Sequence, residues 1–156
     1  MEDLYIVSRC LLGENCKYNG GNNLTPDVVQ FYDTHRCVTV CPECRGGLPA
    51  PRPPAEIVRS AADGYRIVDR NGRDVTEAFL TGAALSWADV QEYAERNGCR
   101  IAGAVLKANS PSCGHGVIYD GTFSGRRIPG DGVFAAILRG QGIPVRTEED
   151  LDAQKE

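Results

Sequence analysis

No stretch of this 156-residue chain is apolar over anything near the ~20 residues that a membrane helix needs, and no secretory signal precedes the first strand-like run. A cytoplasmic protein is therefore expected. Basic excess is missing as well. With 17 Lys and Arg against 21 Asp and Glu, the formal charge of -4 argues against a non-specific nucleic-acid binder, whose domains are usually basic. There is no internal repeat, no linker, no dinucleotide fingerprint and no compact ferredoxin spacing of cysteines. What remains is an ordinary globular composition, 42% hydrophobic and 24% charged, long enough to bury one core. One domain over residues 1–156 is expected.

Cysteine is abundant. Seven of them in a secreted mini-protein would suggest a disulfide framework, but a normal core and the lack of an export signal favour reduced thiols. Such thiols bind a metal or cluster, perform redox chemistry, or simply pack.

Apolar runs over residues 3–8, 36–40 and 101–106 read as strands of a parallel sheet, with 143–146 as a closing strand. Thr25-Pro26 opens a helix reaching about His35, and residues 76–97 carry a helical pattern capped by Asp74 or Thr76. Gly98 ends that helix, and Gly82 is a candidate bend or break. Gly130-Asp131-Gly132 opens a further helix, with Asp131 as its N-cap, and an acidic helix begins at Glu148. Proline and glycine exclude regular structure over residues 41–54. Residues 55–58 are a short strand or turn, 65–69 an edge strand, and 73–75 pair back across Asn71-Gly72; 117–123 form a hairpin about Asp120-Gly121. The expected fold is α/β, with a small, mostly parallel sheet flanked by helices in a Rossmann-like three-layer arrangement.

Three strand ends each deliver a thiol: Cys10, Cys41 and Cys113, with Cys16 six residues beyond the first. Open α/β sheets bind ligands beyond the carboxyl ends of their strands. Three thiolates on a metal centre leave one position open to substrate, which four would not. Cys41-Pro-Glu-Cys44 also matches the dithiol redox motif, but that chemistry wants a helix starting at the first cysteine, and the glycines and prolines that follow argue against one. Cys37 and Cys99 flank apolar strand residues and read as packing. Glu43 is a candidate general acid or base, or an ion-pair partner for Arg52 or Lys107, and His115 is a candidate proton carrier.

Several blocks carry a family resemblance. Ser8-Arg-Cys-Leu-Leu-Gly13 with Cys16-Lys-Tyr-Asn-Gly20, Cys41-Pro-Glu43 with Gly46-Gly-Leu-Pro-Ala-Pro-Arg52, Asp74-Val-Thr76, and Leu106-Lys-Ala-Asn-Ser-Pro-Ser-Cys-Gly114 with Ile118-Tyr-Asp-Gly-Thr-Phe123 resemble the thiouracil desulfidase family. The resemblance covers nearly the whole chain. It implies a [4Fe-4S] enzyme that removes sulfur from a thiolated pyrimidine as hydrogen sulfide without net redox change. It also implies Cys10, Cys41 and Cys113 as cluster ligands, with Cys16 competing with Cys10. Glu43, Ser110 and Ser112 become the proton-transfer candidates, and Lys107 and Asn109 the substrate-binding ones. The expected partner is a small thiolated heterocycle, with no nucleic acid and no membrane. The rival readings are a zinc hydrolase with three Cys ligands and an open water position, and a non-catalytic metal- or redox-sensing module.

Overall fold

Apolar residues that recur in pairs along the expected strands require a sheet covered on both sides, and the computed structural model, which describes residues 1–60 and 64–155, has one. In chain order the elements are β1 (Glu2–Ser8), α1 (Pro26–Thr34), β2 (Arg36–Val40), α2 (Pro42–Arg45), β3 (Ala55–Ser60), β4 (Gly64–Asp69), α3 (Thr76–Asn97), β5 (Cys99–Leu106), β6 (Val117–Tyr119), β7 (Arg127–Pro129), α4 (Val133–Gly140), β8 (Val145–Thr147) and α5 (Glu148–Lys155), with a 3-10 turn, Arg9–Leu12, directly after β1. The central sheet has the order β2-β1-β5-β8, and every pairing in it is parallel. β1 thus has β2 on one side and β5 on the other. The chain reverses its direction of travel across the sheet there, which creates the crevice where open α/β sheets take ligands.

Successive residues of a strand face opposite ways, so β1 and β5 feed two cores. Ile6, Ala104 and Leu106 pack with Phe79, Ala83 and Val90 of α3 and with Phe134, Ala135 and Leu138 of α4. Val7 and Val105 pack on the other face with Leu11, Val28 of α1 and Leu151 of α5. The result is the expected three-layer α/β arrangement. Among the described residues no helix is long and apolar enough to cross a membrane.

Several local expectations are corrected. Residues 42–45 do form one helical turn, α2, immediately after Cys41. Pro42 supplies the fixed φ of a first helical position, and Gly46 ends the turn. α3 is continuous across Gly82, because that glycine serves packing: a Cβ there would collide with the Pro42 carbonyl, and one on Gly46 with the Ala78 carbonyl. Gly98 caps α3 in the left-handed conformation, φ 63°, as expected. β4 is not an edge of the main sheet; it pairs antiparallel with β3 in a separate ribbon, and Val68 bridges Asp74 beyond the Asn71-Gly72 turn. The hairpin after Tyr119 is wider than a turn at Asp120-Gly121, since β6 pairs with β7 at residues 127–129. Gly132, not Asp131, is the N-cap of α4. Asp131 instead accepts the Gly116 N–H at 2.8 Å and faces Arg139 at 2.6 Å.

Candidate functional site

The carboxyl ends of β1, β2 and β5 open into a cavity of about 420 Å³. Cys10, Cys41, Glu43, Lys107, Asn109, Ser110, Ser112 and Cys113 all line it, so of the candidates singled out from the sequence the structure brings these together and leaves out His115. Cys16 lines it too.

The ends of secondary structure place these groups. Cys10 lies in the 3-10 turn that follows β1, and Cys41 immediately precedes α2. Cys113 belongs to the loop after β5, which α4 holds from below: Val133 N–H donates to the Pro111 carbonyl at 2.9 Å and Phe134 N–H to the Ser112 carbonyl at 2.8 Å. The unsatisfied amides of a helix start thereby fix the loop that carries the thiol. Gly132 permits this approach, because a Cβ would lie 2.5 Å from the Ser112 carbonyl carbon. Asn109 adopts φ 69°, a conformation rare outside glycine and tolerated best by Asn and Asp.

All seven cysteines are free thiols. Burial pushes the Cys113 thiol up to about 12, against hydrogen bonds from Ser8 and Ser112 that favour its thiolate. Burial also raises Cys10, although the Asn23 side-chain amide donates to its sulfur at 3.5 Å. Cys16 and Cys41 share a hydrogen bond that favours the Cys16 thiolate and keeps the proton on Cys41. Cys10 stands near enough to both Cys41 and Cys113 for its charge to be felt by each. Cys37 packs beside Val7 and Val28, and Cys99 packs with Leu4 and Ala94 at the start of β5, the opposite end of the strand from the cavity. Cys41 is raised, the reverse of what a dithiol redox motif requires of its first cysteine.

One carboxylate organises the polar wall. Glu43 Oε1 accepts from Arg52 Nε at 3.2 Å and Nη2 at 3.0 Å, and Oε2 accepts the Ser112 hydroxyl at 2.8 Å. Ser112 Oγ lies 3.3 Å from Ser110 Oγ, which accepts the Cys113 N–H at 2.7 Å. Both side chains of the ion pair are largely withdrawn from solvent, 6% exposed for Arg52 and 16% for Glu43. Of the two ion-pair partners expected for Glu43, Arg52 is the one found. Lys107 is held instead by Glu148, at 3.0 Å, and by the Ala108 carbonyl. His115 is not among the cavity's lining residues; its Nδ1 is 3.3 Å from Asp131 Oδ1 but aligned for no hydrogen bond.

Sequence reasoning passed over Glu56, Arg70 and Phe123, which also line the cavity. Glu56 sits inside an apolar strand, and Arg70 flanks a turn, so neither carries a local signal. Phe123 was visible only as the last residue of a family block.

The chain resembles known proteins over nearly its whole length. Residues 5–150 match the profile of the family described as 2-thiouracil desulfurase. The uncharacterized protein YbbK of Bacillus subtilis (strain 168) is 40% identical over 154 residues, covering 96% of this chain and 98% of that protein. A solved structure of the [4Fe-4S]-dependent thiouracil desulfidase TudS superposes with a TM-score of 0.78 at 38% identity, covering 97% of this chain and 95% of that one. By profile over residues 5–150, and in keeping with the structural match, the chain belongs to the 2-thiouracil desulfurase family.

Proposed function

We propose that this protein is a [4Fe-4S]-dependent desulfidase that replaces the sulfur of a thiolated pyrimidine, such as 2-thiouracil, by oxygen and releases it as hydrogen sulfide. The observation that carries the reading is the convergence of Cys10, Cys41 and Cys113 from three strand ends on the cavity that also holds the Glu43–Ser112 pair. It is supported by the cofactor in the name of the structural relative.

The residues present fit such a cluster. The donors are soft thiols, the ligand class that iron–sulfur clusters take. Among the described residues no three His, Cys, Asp or Glu side chains stand close enough to share one metal ion. A cluster does not ask this of its ligands, because each thiolate binds its own iron; a single zinc does. The zinc-hydrolase reading is therefore the weaker one. Cys10, Cys41 and Cys113 would hold the cluster, with Cys16 beside Cys41 as the competing ligand.

When bound, the cluster supplies a soft Lewis acid with one position open to a thiocarbonyl sulfur. The rest of the chemistry falls to the chain. Glu43, held by Arg52 on Oε1, presents Oε2 to the cavity through Ser112, and there it can take a proton from an attacking water. Ser112 and Ser110 form a hydroxyl pair through which that proton can move and which fixes the orientation of the Cys113 loop. The water oxygen replaces sulfur on carbon, both of its protons leave with the sulfide, and no electron is gained or lost. Anaerobically reconstituted protein given 2-thiouracil should release uracil and sulfide in equal amounts without consuming reductant. Protein with a full cluster that leaves 2-thiouracil, 4-thiouracil and their nucleosides intact overturns the reading.

A further inference from the structure

We propose that Phe123, braced by Arg70 and Glu56, is the wall on which the flat ring of the substrate stacks, and so sets selectivity for ring thiocarbonyls over acyclic ones. The inference deepens the function proposed above and rests on it for the identity of the ring.

Tyr18, Tyr119 and Phe123 are the aromatic side chains that line the cavity among the described residues. Phe123 differs from the other two in its backbone. Its φ is 57°, a left-handed conformation that a bulky residue rarely adopts and that persists only when the surroundings enforce it. Those surroundings are specific. Glu56, 9% exposed, accepts the Gly121 N–H at 3.0 Å and the Phe123 N–H at 3.2 Å on the same oxygen. Asp120 accepts the Thr122 N–H at 2.9 Å and its hydroxyl at 2.5 Å. Gly121, at φ 94°, lies against β3 so closely that a Cβ would be 2.8 Å from the Ile57 carbonyl oxygen.

Core packing does not account for the effort. Phe123 belongs to none of the buried apolar clusters and is half-buried at the cavity wall. The Arg70 guanidinium carbon stands 5.7 Å from its ring centroid and also lines the cavity, so the phenyl is held by a cation on its face. A strained, clamped aromatic outside the core, in the wall of a cavity, is a preorganised stacking surface. Thiolated pyrimidines are flat and polarisable, and every such ring offers a π-face to stack.

Binding of uracil, which has the ring but no sulfur, to the cluster-loaded protein is the direct test, measured by calorimetry alongside the kcat/KM ratio of 2-thiouracil to thiourea. Phe123→Leu with full iron and sulfide content should weaken uracil binding by about ten-fold or more and lower that ratio by a similar factor, whereas Phe123→Trp should restore both. Glu56→Ala keeps the phenyl but frees its loop and should weaken uracil binding in the same direction. Glu56→Gln should rescue it, since an amide oxygen still accepts both N–H groups. A fully loaded Phe123→Leu protein that binds uracil as tightly as the parent, or a parent that binds no flat ring, overturns the proposal. If neither thio compound is turned over, the function fails, and uracil binding still decides the role of Phe123.

Discussion

Cys113 is the thiol that burial raises to about 12, and a metal must displace its proton to bind there. Serine at Cys10, Cys41 or Cys113 should lose most of the cluster iron, because an alcohol is a poor substitute for a thiolate. Cys37→Ser and Cys99→Ser should keep it, since those thiols pack in apolar clusters away from the cavity. Iron and sulfide analysis after anaerobic reconstitution checks the contrast, and iron loss from Cys16→Ser but not Cys10→Ser would transfer the ligand role to Cys16. Glu43→Gln should retain iron and colour while slowing turnover by ~10²-fold or more, the usual size of an acid–base contribution. An undiminished rate would leave Glu43 as only the structural partner of Arg52. The thiols were legible in the sequence because each lies just beyond an apolar strand-like run, and Glu43 because it stands two residues from Cys41. Glu56, Arg70 and Phe123 were not, because each reaches the cavity from the small ribbons, whose placement against the sheet leaves no trace in local pattern.

The contact between α2 and α3 depends on two glycines with no Cβ to keep the backbones apart. Alanine normally stabilises a helix interior over glycine by up to ~1 kcal/mol. At Gly82 the overlap with the Pro42 carbonyl reverses the sign, and Gly82→Ala should cost roughly 1–3 kcal/mol, the usual range for overpacking. Urea denaturation of the variant measures it, and a stabilised protein would contradict the close approach. The same contact explains why α2 escaped a sequence reading. Proline and glycine density over residues 41–54 argues against any regular structure there, yet one turn started by Pro42 and packed on α3 forms without a favourable run of its own. Strong periodicity was reliable: β2 spans the expected residues, and α3 does so across its full 22 residues. Asp131 was misassigned because a loop carboxylate before a helix has several amides within reach, and the Gly116 N–H takes it.

At the scale of the whole fold, Asp74, Asp120 and Asp131 each tie loop groups by hydrogen bonds and titrate low. Burial acts to raise Asp131, but the Gly116 N–H and Arg139 overcome it and hold the carboxyl below its ordinary value. Asp74 and Asp120 are held low by hydrogen bonds from Thr76 and Thr122. A folded-state value below the unfolded one gives stability that is present above the unfolded pKa of ~3.9 and lost as pH falls through the folded value. The urea midpoint should therefore drop as the solution is acidified below about pH 4, and Asp131→Asn should flatten that slope. An unchanged slope would mean that Asp131 is no more tightly held in the folded state than in the unfolded chain.

The strand order has a consequence for how the protein comes to be made. β1 is synthesised well before β5, one of its two neighbours, which begins only at Cys99. Pairing over so long a separation is intrinsically slow, because much of the chain must be ordered before the contact forms. A nascent chain that ends after β2 has one bare edge on β1 and lacks the third wall of the cavity. The three thiols proposed to share one cluster can meet only after the chain has been made past Cys113 and β5 has found β1, so the binding of anything they hold in common reports that this long-range pairing has formed.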